Sequence, residues 1–132
     1  MGTIAWQRRA RIPRVLIAED DDDTRRALVD LVAELGVEIA EASSGGDLAV
    51  LLTDNRPSDL LITDVRMPWT TGLQVALSAR NSGMGLPIII VTAYADDDVR
   101  AQVDHLESAV LLTKPFRPEE LLCLVRERLM LL

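Results

Sequence analysis

The sequence predicts an α/β fold: a doubly wound parallel sheet of five strands, (βα)5, with helices on both faces in a three-layer α/β/α arrangement. Three observations carry this. Short apolar runs alternate with helically spaced segments along the whole chain, which is the pattern of repeated strand–helix units. The runs Val15-Leu16-Ile17-Ala18, Leu60-Leu61-Ile62 and Ile88-Ile89-Ile90-Val91 are apolar at every position, as strands covered on both faces must be. Each strand-like run that could lie centrally ends directly in a polar residue. Right-handed crossovers then give a parallel sheet. Its order, 2-1-3-4-5, is adopted from a common doubly wound arrangement and is not read from the residues.

The elements follow in order. Residues 14–20 read as a short buried strand. From Asp23 to Leu35, apolar residues at Ala27, Leu28, Leu31, Val32 and Leu35 have helical spacing, and Gly36 suits the position after a helix. Residues 37–42 alternate weakly and suit an outer strand. Ser43 to Gly46 reads as a loop, and Asp47 to Asn55 as a short helix broken by Pro57. Residues 59–64 form the third strand, and Val65 to Thr71 a loop containing Pro68. Residues 72–81 form a helix ending at Ser82-Gly83. Residues 86–92 are the most apolar strand. Residues 96–106 make a weaker helix held by Val99, Val103 and Leu106, and 109–113 the last strand. Pro118, followed by Glu119 and Glu120, opens a helix that runs to the end through Leu121, Leu122, Val125 and Leu129.

A length of 132 residues suits one core, placed here at 14–132 behind a flexible leader at 1–13. The leader region carries Trp6, Arg8, Arg9 and Arg11, with Arg14 at its border. The net charge of −7 argues against direct nucleic-acid binding by this domain, which needs a basic stripe. No apolar stretch approaches the roughly 20 residues of a membrane span, and no signal peptide is evident, so the expected location is the cytoplasm. Cys123, the single cysteine, is expected in or near the core, and His105, the single histidine, on a solvent-facing helix position. Asp22, Asp23 and the acids at 96–98 read as solvated charges.

The polar residues that end the strands carry the chemistry. Glu19 and Asp20, Asp64, Thr92 and Lys114 follow four different apolar runs. In a parallel sheet they gather at the carboxyl edge, where such sheets bind ligands. With the first and third strands adjacent, Glu19, Asp20 and Asp64 crowd together. Two bare carboxylates 4 Å apart repel by about 4 kcal/mol at an effective dielectric near 20. A hard, oxygen-only set of this kind calls for one divalent cation, and Mg2+ fits best. A carboxylate can act as nucleophile toward phosphorus. The cation, Lys114 and the Thr92 hydroxyl would each take one phosphoryl oxygen. A metal-free acidic surface patch is the plain alternative.

These segments resemble the receiver domain of two-component response regulators. The resemblance rests on Leu16-Ile17-Ala18-Glu19-Asp20-Asp21, Asp64-Val65-Arg66-Met67-Pro68, Gly72-Leu73, Val91-Thr92-Ala93 and Lys114-Pro115-Phe116, in family order and spacing. It spans Arg14 to Leu131. It implies that Asp64 is the phosphoacceptor. Glu19 and Asp20 would bind Mg2+ together with Asp64 and the backbone carbonyl of Arg66. Thr92 and Lys114 would contact the phosphoryl oxygens, and the bond before Pro115 would be cis. The expected donor is a sensor histidine kinase or a histidine phosphotransfer protein. The expected readout is the surface of the last two helices and the last strand, which would control an output domain or a downstream protein; a homodimer is a further option. On this reading the chain is not an enzyme, beyond self-phosphorylation from small donors and autodephosphorylation.

The chain departs from the family at Leu111 and at Glu107-Ser108-Ala109, which lacks the common Gly-Ala. Leu111 stands three residues before Lys114, where an aromatic switch residue is common, and Tyr94 is the only tyrosine. Either the signal travels by backbone and loop shifts, or Tyr94 partly replaces the aromatic. The bulk at Arg66 and Tyr94 suggests slow autodephosphorylation. Two other functions stay open. One is a degenerate receiver that acts as a constitutive interaction module. The other is a small phosphatase with an aspartyl nucleophile, which would need a second acid where the chain has Arg66.

Overall fold

The computed structural model describes residues 11–54, 56–65, 74–75 and 85–130. The helix expected over 72–81 lies outside them except for Gln74 and Val75, which are helical. Arg66 and the leader up to residue 10 also lie outside.

Five parallel strands form one sheet: β1 (Arg14–Ala18), β2 (Glu38–Ala42), β3 (Leu60–Thr63), β4 (Ile88–Thr92) and β5 (Ala109–Thr113). Their order is β2-β1-β3-β4-β5, as expected. β1, β3 and β4 are buried at every position, whereas β2 and β5, at the edges, are partly exposed. That difference is why the inner runs are uniformly apolar and β2 alternates only weakly.

Among the described residues the helices are α1 (Asp22–Ala33), α2 (Gly45–Thr53), α3 (Asp97–Asp104) and α4 (Pro118–Met130). Strand alternation splits the core into two layers. Leu16, Ala18, Leu61, Ile88 and Ile90 face one side with Leu48 of α2, Val75, and Val99 and Val103 of α3. Val15, Ile17, Leu60, Ile62, Ile89 and Val91 face the other with Leu28 and Val32 of α1 and Leu121, Val125 and Leu129 of α4. Each buried Val, Leu or Ile among these contributes about 1.5–3 kcal/mol.

Helix starts are fixed by side-chain caps. Asp21, Ser44 and Asp96 accept the backbone N–H of Thr24, Asp47 and Val99. Two expectations change here. The cap at Ser44 draws Gly45 and Gly46 into α2, so the expected loop is shorter. Asp96, read as a solvated charge, has a structural task. α1 closes before Gly36, whose φ of 74° suits glycine.

Cys123 corrects another expectation, because it is exposed rather than near the core. The buried stripe of α4 runs through Leu121, Val125 and Leu129, and Cys123 lies off it, beside Glu127. His105, the C-cap of α3, is exposed as expected.

The amino ends of the strands carry a separate ionic network. Asp59 is buried and accepts two hydrogen bonds from the Arg11 guanidinium, at 2.6 and 2.9 Å, and one from Arg14 N at 2.9 Å. The Arg14 guanidinium, itself buried, pairs with Asp54. Arg11, at the end of the expected leader, is therefore attached to the sheet.

Candidate functional site

The site forms where β1, β3 and β5 run out at the carboxyl edge. The parallel ladder continues one step past the strands: Glu19 N donates to Ala42 O, Asp64 N to Ala18 O and Lys114 N to Thr92 O. Side-chain alternation therefore also continues. Glu19 follows Val15 and Ile17, Asp64 follows Leu60 and Ile62, and Lys114 follows Val110 and Leu112, all on the layer covered by α1 and α4. Three distant segments thus deliver their polar groups to one spot on one face.

The groups meet. Lys114 Nζ donates to Glu19 Oε1 at 2.7 Å and to Asp64 Oδ2 at 3.1 Å. Glu19 is 2% exposed and Asp64 9% exposed, so both carboxylates lie behind the ammonium, at the floor of the site. Asp64 Oδ1 accepts from Val65 N at 2.6 Å, and the buried Thr63 hydroxyl donates to the Asp64 carbonyl at 3.0 Å. Asp21 N donates to Glu19 Oε2 at 3.2 Å. Asp20, the next residue after Glu19, is exposed.

Burial pushes the Glu19 carboxyl above the usual glutamate range, against the opposing pull of its bond to Lys114. Burial also pulls the Lys114 ammonium down, but its bond to Glu19 and the charges of Asp64 and Glu19 outweigh this and raise it. The lysine is therefore held firmly as a cation. Asp21 is held below the ordinary aspartate range, chiefly by its bond from the Thr24 hydroxyl.

Thr92 does not join this group. It follows Ile88 and Ile90, so alternation puts it on the opposite layer, where it is fully buried and its Oγ1 accepts from Tyr94 N at 3.0 Å. Leu111 is half-buried on that same layer, and its register partner is Ile90. Tyr94 is half-exposed in the loop after β4. The bond between Lys114 and Pro115 is cis.

Among the described residues no three acidic groups converge as a ready-made cation cage. Lys114 stands between two of them. The donor chemistry still fits a hard divalent ion: Glu19, Asp20 and Asp64 offer only oxygen, and the first and third are already arranged around a positive charge.

Sequence reasoning missed Arg25. Its Nη1 donates to the Glu19 carbonyl at 2.8 Å, its Nη2 to Asp22 Oδ1 at 2.7 Å and its Nε to Glu41 Oε1 at 3.1 Å. The available signal was a basic residue two positions after a run of acids and one helical turn from Asp22.

The comparisons agree with this fold. A family model described as the response regulator receiver domain matches residues 15–126. The chain is 36% identical over 115 residues to response regulator MprA of a Mycobacterium species, covering 86% of this chain and 49% of that protein. The chain thus spans about half the length of that relative. It is 32% identical to the response regulator receiver protein CpdR of Brucella abortus, covering 82% of this chain and 89% of that one. A response regulator receiver protein from Pseudomonas putida superposes with a TM-score of 0.82 at 30% identity, covering 90% of this chain and 99% of that one. The matched residues include all five strands except Arg14, together with Glu19, Asp64 and Lys114, and the chain belongs to the response regulator receiver domain family.

Proposed function

We propose that this receiver domain is a phosphorylation-controlled switch with Asp64 as the phosphoacceptor. The observation that carries the reading is the placement of Lys114 Nζ against both Asp64 and Glu19 at the end of three strands. An Asp64 oxygen attacks phosphorus, and the bond from phosphorus to the donor breaks, its electron pair leaving with the donor atom. For a histidine kinase or histidine phosphotransfer protein that atom is an imidazole nitrogen. Lys114 lies where it can neutralise an incoming phosphoryl oxygen, and the buried backbone bonds of Asp64 fix the nucleophile. Glu19, Asp20 and Asp64, with the Arg66 backbone carbonyl, are the residues that would hold Mg2+. When bound, the ion supplies further neutralisation of phosphoryl charge.

Thr92 reaches the phosphoryl group only by leaving its present place on the other layer. That movement would release Tyr94 N from its acceptor and disturb the loop leading into α3. With Leu111 at the common aromatic position, this backbone link is the proposed route to the surface of α3, β5 and α4, which would engage an output domain or a partner protein. The effect is a shift between two pre-existing states. The bulk of Arg66 and Tyr94 is proposed to slow autodephosphorylation. The cytoplasm is the proposed site of action, and the receiver unit is proposed to begin at Arg11, given its fork with Asp59.

Intact-mass measurement after incubation with acetyl phosphate tests the reading. One added phosphoryl group is expected, dependent on Mg2+ and absent in Asp64→Asn. No addition to a folded protein would overturn it. Leu111 favours a second reading, a constitutive interaction module. That reading predicts a partner affinity unaffected by phosphate analogues or by Asp64→Asn.

A further inference from the structure

Arg25 touches none of the groups proposed to react, yet it binds three parts of the fold that meet beside them. It joins the end of β1 through the Glu19 carbonyl, the first turn of α1 through Asp22, and the acidic residue before the last position of β2 through Glu41. Its side chain is 16% exposed, so the guanidinium lies largely inside this junction. The Glu19 carbonyl belongs to the peptide that leads directly into Asp20. Fixing that carbonyl fixes the plane from which the Asp20 side chain departs.

Three of the five consecutive acids from Glu19 to Asp23 have a partner of their own. Asp21 is turned to the helix end, accepting from Thr24 N and Thr24 Oγ1 at 2.9 and 2.6 Å. Asp22 is held by Arg25. Glu19 is held by Lys114. Asp20 is exposed, and the peptide that leads into it is clamped through the Glu19 carbonyl. We infer that Arg25 is a positioning residue that aims Asp20 at the cation site and keeps Asp22 and Glu41 away from it. This rests on the reading of Glu19, Asp20 and Asp64 as Mg2+ donors.

The inference has a sign that simple electrostatics does not share. A cation beside an acidic site repels Mg2+, so removing it for its charge alone would tighten binding. Removing a group that orients a ligand loosens binding, typically by 10–100-fold. The experiment is calorimetric titration of Mg2+ into wild type, Arg25→Ala and Arg25→Lys, with thermal unfolding of each. Arg25→Ala is expected to bind Mg2+ about 10-fold more weakly. Arg25→Lys keeps the charge but lacks the fork that serves three acceptors, and it is expected to remain several-fold weaker than wild type. Unchanged or tighter binding in folded Arg25→Ala would overturn the inference. Should that variant not fold, Arg25→Lys with wild-type affinity would overturn it. Failure of the wild type itself to bind Mg2+ would instead overturn the underlying assignment of the donors, a separate and recognisable result.

Discussion

Replacing Lys114 by Met removes the one ammonium shared by two buried carboxylates. Its contacts of 2.7 Å to Glu19 and 3.1 Å to Asp64 correspond to raw attractions of about 6 and about 5 kcal/mol at an effective dielectric of 20. Desolvation offsets most of that in the intact protein. It is not recovered when one partner is deleted, because the two carboxylates stay buried and repel. Loss of one partner from a buried pair costs about 3–5 kcal/mol, and the lower end applies because the Lys114 side chain is 23% exposed. Urea unfolding at neutral pH without Mg2+ should therefore show a loss of about 3 kcal/mol with an unchanged slope. Lys114 also occupies the space between two proposed Mg2+ donors, so the ion must compete with it. The variant should bind Mg2+ more tightly than wild type, and added Mg2+ should restore much of its stability. Equal losses with and without Mg2+, together with unchanged Mg2+ affinity, would refute the idea that one positive charge substitutes for another at this spot.

Other outcomes follow from the same geometry. Glu19 titrates above its ordinary value of 4.5 because it is buried, so the folded state holds that proton more tightly than the unfolded state. Its contribution is fully present below that ordinary value and is lost as pH rises through the raised one. Relative to Glu19→Gln, the wild type should therefore lose stability as pH rises across that window, as read by unfolding midpoints at a series of pH values. At the opposite end of the sheet, Asp59→Ala strands the Arg14 N–H and frees Arg11, and should cost about 2–4 kcal/mol in chemical unfolding. Arg11→Ala should cost about 1 kcal/mol, because its side chain is 43% exposed. The double variant should cost little more than Asp59→Ala alone.

How far the sequence reached depends on what each feature needs. β1, β3 and β4 were legible because burial on both faces demands unbroken apolar runs, and α1 because Leu28, Val32 and Leu35 keep helical spacing. The strand order was not legible, since no local pattern encodes which strands become neighbours. Glu19, Asp64 and Lys114 could be named because each follows a largely apolar run. Their meeting also required the shared alternation phase that continues from Ile17, Ile62 and Leu112. The same phase separates Thr92, a distinction visible in the sequence only once the strand register is known. Arg25 escaped because its role depends on β1, β2 and α1 meeting in space. Cys123 was misjudged because leucines surround it in sequence, while the buried stripe of α4 passes along another side.

The central claim, that sheet geometry selects one carboxylate among many, is tested most directly by locating the phosphoryl group. Protein treated with acetyl phosphate and Mg2+ can be reduced with borohydride, digested and sequenced by mass spectrometry. The account predicts modification at Asp64 alone, with Asp20, Asp21 and Asp22 untouched. Modification spread over the acidic run from Glu19 to Asp23, or its persistence in Asp64→Asn, would contradict it.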